Sequence, residues 1–77
     1  MPFSALDTVV LDTDLPEHGL RKGDLGAVAQ VYDPDGLEVE FVTASGRTEA
    51  LVSLKFADVR AVADSDLVSV RPFNRSA

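Results

Sequence analysis

Apolar and polar residues alternate over short runs in this chain, and no stretch longer than a few residues keeps the period of a helix. The clearest alternation places Leu37, Val39 and Phe41 on one side of an extended segment. Glu38 and Glu40 fall on the other side. A period of two is typical of a strand that buries one face and turns the other to water. The pattern therefore predicts an all-β protein.

Turn-forming residues divide the chain into five predicted strands. The strands cover residues 8–11, 25–32, 37–42, 49–54 and 59–62. A short helical turn at 56–58 precedes the last strand. Residues 12–24 contain two glycines and a proline without any helical period, which predicts a long first loop. We expect Leu15 and Leu20 of that loop to fold back onto the end of the sheet as plugs.

The entry to the second predicted strand carries two glycines and an odd spacing of valines. Gly23 and Gly26 bracket a sharp bend, where a positive φ favours glycine. Val28 and Val31 are three residues apart and so fall on opposite faces of a regular strand. If both valines face the core, a β-bulge near residues 29–30 is required, and such bulges curl small sheets into barrels.

Five strands, one long first loop and a single turn before the last strand describe a small five-stranded SH3-like half-open barrel. Its predicted core consists of nine apolar residues: Val9, Leu11, Val28, Val31, Val39, Phe41, Val52, Leu54 and Val59. Val10, Val42 and Leu51 have the opposite parity to the core residues of their strands. These three either cover one another as a second small core or form an exposed patch of the kind that marks a partner surface.

A chain of 77 residues has room for one domain, and it contains no cysteine that could stabilise that domain through disulfides. We assign residues 1–62 to the barrel domain and residues 63–77 to a C-terminal extension. Leu67–Arg71 has the pattern of an extra strand, added to an open barrel edge of its own chain or of a second copy. The second arrangement gives a homodimer through residues 67–70, which we favour over a monomer. Residues 74–77 are expected to form a frayed end.

Acidic residues are concentrated in the first half of the chain, whose overall net charge is −6. Residues 1–40 hold nine acidic and two basic residues, a net charge of −7, whereas residues 41–77 hold four acidic and five basic residues, a net charge of +1. The acidic half would repel nucleic acid and anionic lipid. It is either a solvated surface that keeps a small protein soluble or a face that steers a basic partner toward the protein. The candidate partner surface consists of five acidic residues: Asp12, Asp14, Glu17, Glu38 and Glu40.

Residues that carry chemistry are scarce in this sequence. His18 is the only histidine, and without a second histidine or a cysteine no transition-metal shell is expected. No serine or threonine lies in a recognisable pattern with a base, so no catalytic residue and no cofactor is predicted. The Gly23–Gly26 turn lacks the lysine and the following helix of a phosphate-binding loop. With neither a signal-peptide pattern nor a long apolar run, the chain is expected to be a cytoplasmic bacterial protein.

The chain carries five short motifs: an Asp-Thr-Val-Val-Leu run at 7–11, Asp-Leu-Pro-Glu at 14–17, Gly-Leu-x-x-Gly-Asp-x-Gly at 19–26, Val-Glu-Phe at 39–41 and Asp-Val-Arg at 58–60. Together they resemble a family of small bacterial domains of unknown function. The resemblance spans residues 4–62 and implies a compact single domain without assigned catalytic residues. The Gly-Asp-x-Gly segment is more distantly similar to SH3-like accessory barrels of photosystem I and of the nitrile hydratase β-chain, which dock onto larger partners.

These observations favour a non-enzymatic protein-interaction module. It is expected to be the small neutralising or accessory partner in a two-gene pair, with an unidentified basic protein as its partner. The alternative is an RNA- or ribosome-associated small barrel, because the second half of the chain is mildly basic. In that case the binding residues are four cations: Arg47, Lys55, Arg60 and Arg71.

Overall fold

The computed structural model describes residues 2–73. The strands are β1 (Thr8–Leu11), β2 (Leu25–Tyr32), β3 (Gly36–Val42), β4 (Thr48–Lys55) and β5 (Val59–Ala61). All five predicted strands are present, with bounds within one residue of those expected. Two 3-10 turns of three residues each, Pro16–His18 and Phe56–Asp58, complete the regular structure. The described residues therefore contain no helix with the length and apolarity needed to cross a membrane.

The five strands form one antiparallel sheet with the order β4-β3-β2-β1-β5. Each strand therefore pairs with its neighbour in sequence except β5, which returns to pair with β1. The sheet curls around a single core but does not close, and β4 and β5 remain as its two edges. The predicted all-β, five-stranded and half-open arrangement with a long first loop is confirmed.

A β-bulge interrupts the pairing of β2 with β3. Val28 pairs with Val39, but the next pair joins Gln30 to Glu38, so one residue of β2 has no partner on β3. The extra residue resets the alternation, and this allows Val28 and Val31 to face the same side. Val28 is fully buried and Val31 is partly buried against the core, so the predicted bulge is confirmed.

The core lies on the concave side of the sheet and is closed by the first loop. Eight of the nine predicted core residues are buried, and Val31 packs against them with part of its side chain exposed. Leu37 belongs to the core as well, as the alternation in β3 requires. Leu15 and Leu20 exchange two backbone hydrogen bonds of 3.0 and 3.1 Å, which fold the loop back on itself. Leu20 is buried and Leu15 packs beside it, so both act as the expected plugs.

The two glycines at the entry to β2 are required for different reasons. Gly23 has a φ of +98°, a conformation that other residues adopt only with strain. Gly26 has no positive φ, which corrects the prediction for this position. A Cβ at residue 26 would lie 2.6 Å from Cγ1 of Val39 and 2.9 Å from Cε1 of Phe41. Gly26 is therefore needed because the core side chains of β3 occupy the space next to its backbone.

After β5 the chain continues as a strap, residues 62–73, which contains no strand. The strap therefore does not pair with an edge of its own sheet, which was one of the two predicted arrangements. The predicted frayed end, residues 74–77, lies outside the described residues. The strap lies beside Val10, which is only 6% exposed. Val42 and Leu51 are exposed, so the three apolar residues of opposite parity do not form a common second core.

We expect Gly26→Ala to destabilise the protein by about 1–3 kcal/mol, because the added methyl group overpacks the core against Val39 and Phe41. Gly36→Ala is the matched control, since a Cβ at residue 36 meets its nearest atom at an ordinary 3.5 Å and its backbone needs no positive φ. Urea unfolding of the two variants measures the difference. Equal stabilities would contradict the close contact at residue 26.

Candidate interaction surface

Three of the five candidate acidic residues lie in the first loop, at the end of the sheet where β1 stops. The Asp12 carboxylate lies 3.8 Å from Nζ of Lys22, and the side chains of Lys22 and Asp12 are 69% and 41% exposed. The Asp14 carboxylate accepts a 2.8 Å hydrogen bond from the Lys22 N–H, which ties the two sides of the loop together. Glu17 lies in the first 3-10 turn and is exposed.

The other two candidates, Glu38 and Glu40, lie on the convex face of β3. Glu38 is paired between Gln30 of β2 and Ser53 of β4. Glu40 is paired between Ala27 and Leu51 and accepts a short hydrogen bond from the hydroxyl of Thr48. Both glutamates are partly exposed, and two residues apart on one strand they point to the same side.

The strand register separates these two groups. Glu40 is level with Ala27, and Ala27 pairs with Thr8 at the start of β1. Asp12 follows the other end of β1, four residues and thus about 13 Å further along the sheet. Glu38 lies still further from Asp12 in the same direction. The five candidates therefore form a loop group and a sheet group rather than one continuous surface.

Exposed apolar side chains accompany the sheet group. Leu51 is 55% exposed and directly opposite Glu40, and Val42 is 45% exposed and follows on the same face of β3. We define the acidic-apolar face as Glu38, Glu40, Val42 and Leu51. Sequence reasoning identified the two glutamates and the unusual parity of the two apolar residues, but it did not place all four on one face. Parity along β3 was enough to place Glu38, Glu40 and Val42 together, whereas Leu51 of β4 joins them only through its pairing with Glu40.

Three of the four candidate cations are already bound to carboxylates. Nε of Arg47 lies 3.5 Å from the Glu49 carboxylate, and Arg60 donates two hydrogen bonds of 2.8 and 3.1 Å to Asp66. The hydrogen bond with Asp66 is the main reason that the pKa of Arg60 is raised above its ordinary value. Arg71 binds Asp24. Three of the four candidate cations are thus compensated by carboxylates of the described chain.

An open cleft of about 370 Å³ lies between the first 3-10 turn and β4. Its lining includes Glu17 and His18 of the turn, Glu49 and Ala50 of β4, and Phe73 of the strap. His18 is exposed. Within residues 2–73 no three histidine, cysteine, aspartate or glutamate side chains come together in the way that a metal ion requires.

Residues 5–61 match the model of a family described as Domain of unknown function (DUF4926). The chain belongs to this family. The matched region begins just before β1 and ends with the last residue of β5, so it contains the complete sheet and leaves the strap outside. No curated protein sequence and no solved structure matches the chain.

The strap is attached to the family domain by an ion pair between Arg71 and Asp24. Nε and Nη2 of Arg71 bind the two oxygens of the Asp24 carboxylate, and Nη2 also donates a 3.0 Å hydrogen bond to the Gly19 carbonyl. The side chains of Arg71 and Asp24 are 26% and 18% exposed. Phe73 then packs against the core. We call the Arg71–Asp24 pair the latch.

The latch lowers the pKa of Asp24. Partial burial raises the pKa of this carboxyl, but the hydrogen bonds from Arg71 and from the Arg21 N–H, together with the charges of both arginines, outweigh burial. The pKa therefore lies below its ordinary value of 3.8. A carboxyl of this kind adds stability that is fully present above its unfolded-state pKa and is lost as the pH falls through the lower folded-state value.

We expect Arg71→Met to lower the free energy of unfolding by about 1–2 kcal/mol at neutral pH, because it removes a charged hydrogen-bond pair that is largely shielded from water. The difference in the free energy of unfolding between the variant and the wild type should shrink as the pH falls through the lowered pKa of Asp24. Urea unfolding at neutral and acidic pH measures both effects. Arg71→Lys keeps the charge but not the two-pronged contact, so an intermediate loss is expected. A deficit that does not change with pH would show that Arg71 acts through packing alone.

Proposed function

We propose that this protein is a non-enzymatic interaction module that binds a basic protein partner through the acidic-apolar face. It would act in the bacterial cytoplasm as the small neutralising or accessory member of a two-gene pair. The observation that carries the proposal is the position of Glu38 and Glu40 beside the exposed side chains of Val42 and Leu51 on one face of the sheet.

The chemistry of this face suits a basic segment with apolar neighbours. Lysine and arginine side chains combine an aliphatic stem with a charged head. The stems would pack on Leu51 and Val42 while the heads reach Glu38 and Glu40. The Thr48 hydroxyl already orients the Glu40 carboxylate, so less side-chain entropy is lost when a cation binds. An apolar centre with charges beside it is also the usual composition of a transient protein interface.

The loop group would contribute in a different way. Asp12, Asp14 and Glu17 lie too far from the acidic-apolar face for one small contact to include both. Their charges still add to the negative field of a chain with net charge −6, and such a field accelerates the approach of a basic partner. The distant resemblance to accessory barrels that dock onto larger proteins supports the same class of function, by analogy of fold only.

The RNA- or ribosome-associated alternative remains a prediction with less support. Arg47, Arg60 and Arg71 are each paired with a carboxylate, and a phosphate would have to compete with that carboxylate for each of them. Fluorescence anisotropy with a labelled RNA at about 50 mM salt tests the alternative, because phosphate contacts strengthen steeply as the salt concentration falls. Absence of binding under those conditions would eliminate it.

The test of the main proposal uses the product of the neighbouring gene, co-expressed and co-purified at low salt, where charge contacts are strongest. Isothermal titration calorimetry then compares the wild type with Glu38→Gln/Glu40→Gln. We expect the double variant to bind about tenfold more weakly or worse, and its affinity to depend less on salt, because two carboxylates of the contact are lost. A partner that binds without any salt dependence would contradict a charge-based contact.

The matched control is Asp33→Asn/Asp35→Asn, which removes the same charge from the exposed turn between β2 and β3. We expect the control to retain nearly full affinity. An equal loss in both double variants would assign the effect to net charge and not to the acidic-apolar face. If the neighbouring gene product does not bind and no protein is captured from the native host at low salt, the interaction function itself is refuted.

A further inference from the structure

The middle of the strap is held between two clamps. At one end, the Asp66 carboxylate binds the Arg60 guanidinium and accepts a 2.7 Å hydrogen bond from the Ala63 N–H. At the other end, the latch joins Arg71 to Asp24. Between the clamps, Leu67–Val70 runs without a turn or a bend. Both ends of this segment are therefore fixed before any partner arrives.

The segment between the clamps has free main-chain groups and exposed apolar side chains. Within residues 2–73, no hydrogen bond involves the main chain of Leu67–Val70. Leu67 and Val70 are 95% and 96% exposed, and Val68 is 71% exposed. Unpaired main-chain groups beside apolar side chains form a template for pairing with another strand. Because the segment is already held at both ends, pairing would cost less conformational entropy than ordering a free tail.

Charge identifies a second copy of this chain as the occupant. Leu67–Val70 carries no charge, and each clamp pairs one arginine with one aspartate. Two copies that meet through their acidic first halves repel each other, because residues 1–40 carry a net charge of −7. At the strap, two copies meet through an uncharged segment whose flanking charges are compensated. A basic partner, in contrast, is attracted to the acidic-apolar face.

We propose that two copies associate through Leu67–Val70, paired antiparallel across a two-fold axis. In such a pair the residue on the axis faces its own symmetry mate. An axis at Ser69 places Val68 of each copy opposite Val70 of the other, which gives two contacts between β-branched side chains. The same axis places Leu67 opposite Arg71, whose aliphatic stem can pack on it. Pro72 has no N–H and ends the paired segment. An axis at Val68 would instead place Leu67 opposite Ser69 and Asp66 opposite Val70, which is less complementary.

The experiment uses disulfide trapping in the full chain, which contains no cysteine of its own. Residues that face each other in an antiparallel pair have Cα atoms about 4.5–5.5 Å apart, within the range of a disulfide. We expect Ser69→Cys to form the cross-linked dimer at least about tenfold faster than Ser45→Cys, because association raises the local thiol concentration. Ser45 lies in the exposed turn between β3 and β4 and serves as the matched control.

The register has its own test. In an equimolar mixture of Val68→Cys and Val70→Cys chains, random pairing alone forms the mixed dimer twice as fast as either homodimer. We expect an excess well above twofold, because the axis at Ser69 makes these two positions partners. Sedimentation velocity supplies the measurement without cross-linking. The wild type should show concentration-dependent dimerisation, Val70→Asp should abolish it, and Val42→Asp should leave it unchanged. Both substituted side chains are exposed, so the fold is retained.

Each result decides the proposal. Faster trapping at residue 69, preference for the mixed dimer and a monomeric Val70→Asp variant support it together. Equal trapping rates at residues 69 and 45, or a wild type that sediments as a monomer at every concentration, would overturn it. If Val42→Asp abolishes dimerisation and Val70→Asp does not, the two copies associate through the acidic-apolar face, and the strap is excluded as the site.

Discussion

Hydrogen bonding leaves this sheet open between its edge strands β4 and β5, and side chains from outside the strands must therefore cover the core. The first loop contributes Leu15 and Leu20. Phe3 packs edge-on against Phe56 of the second 3-10 turn, with ring centroids 5.5 Å apart and planes at 74°. The strap contributes Phe73. A chain of 77 residues without disulfides has little apolar surface to spare, so its loop and terminal segments are part of the core.

The same constraint explains why the strap is fastened. An aromatic side chain such as Phe73 can cover the core only if the preceding segment holds it in place, and the latch does so through two-pronged binding of Asp24. Asp24 also accepts a 2.8 Å hydrogen bond from the Arg21 N–H and thereby shapes the turn that leads into β2. One carboxylate thus joins the entry of β2 to the end of the described chain. Between the two clamps, Leu67–Val70 takes no part in this closure and remains available.

The two faces of the sheet have separate physical roles. The concave face holds the apolar residues whose burial stabilises the fold. The convex face keeps Glu38 and Glu40 in partial contact with water, and the proposed function relies on this exposure. The two proposals accordingly use different parts of the surface: the acidic-apolar face for a basic protein and the strap for a second copy.

Local patterns in the sequence determined most of the fold: the strand bounds, the bulge in β2, the two loop plugs and nearly the whole core. These features follow from side-chain period and turn chemistry, which act over a few residues. The separation of Asp12 from Glu38 was decided by the tertiary structure, because it depends on which residues the strand register brings level. The tertiary structure also explains why residue 26 must be glycine, because side chains of β3 occupy the space that a Cβ would need. The latch joins residues 47 positions apart, and no local pattern specifies a contact over that distance.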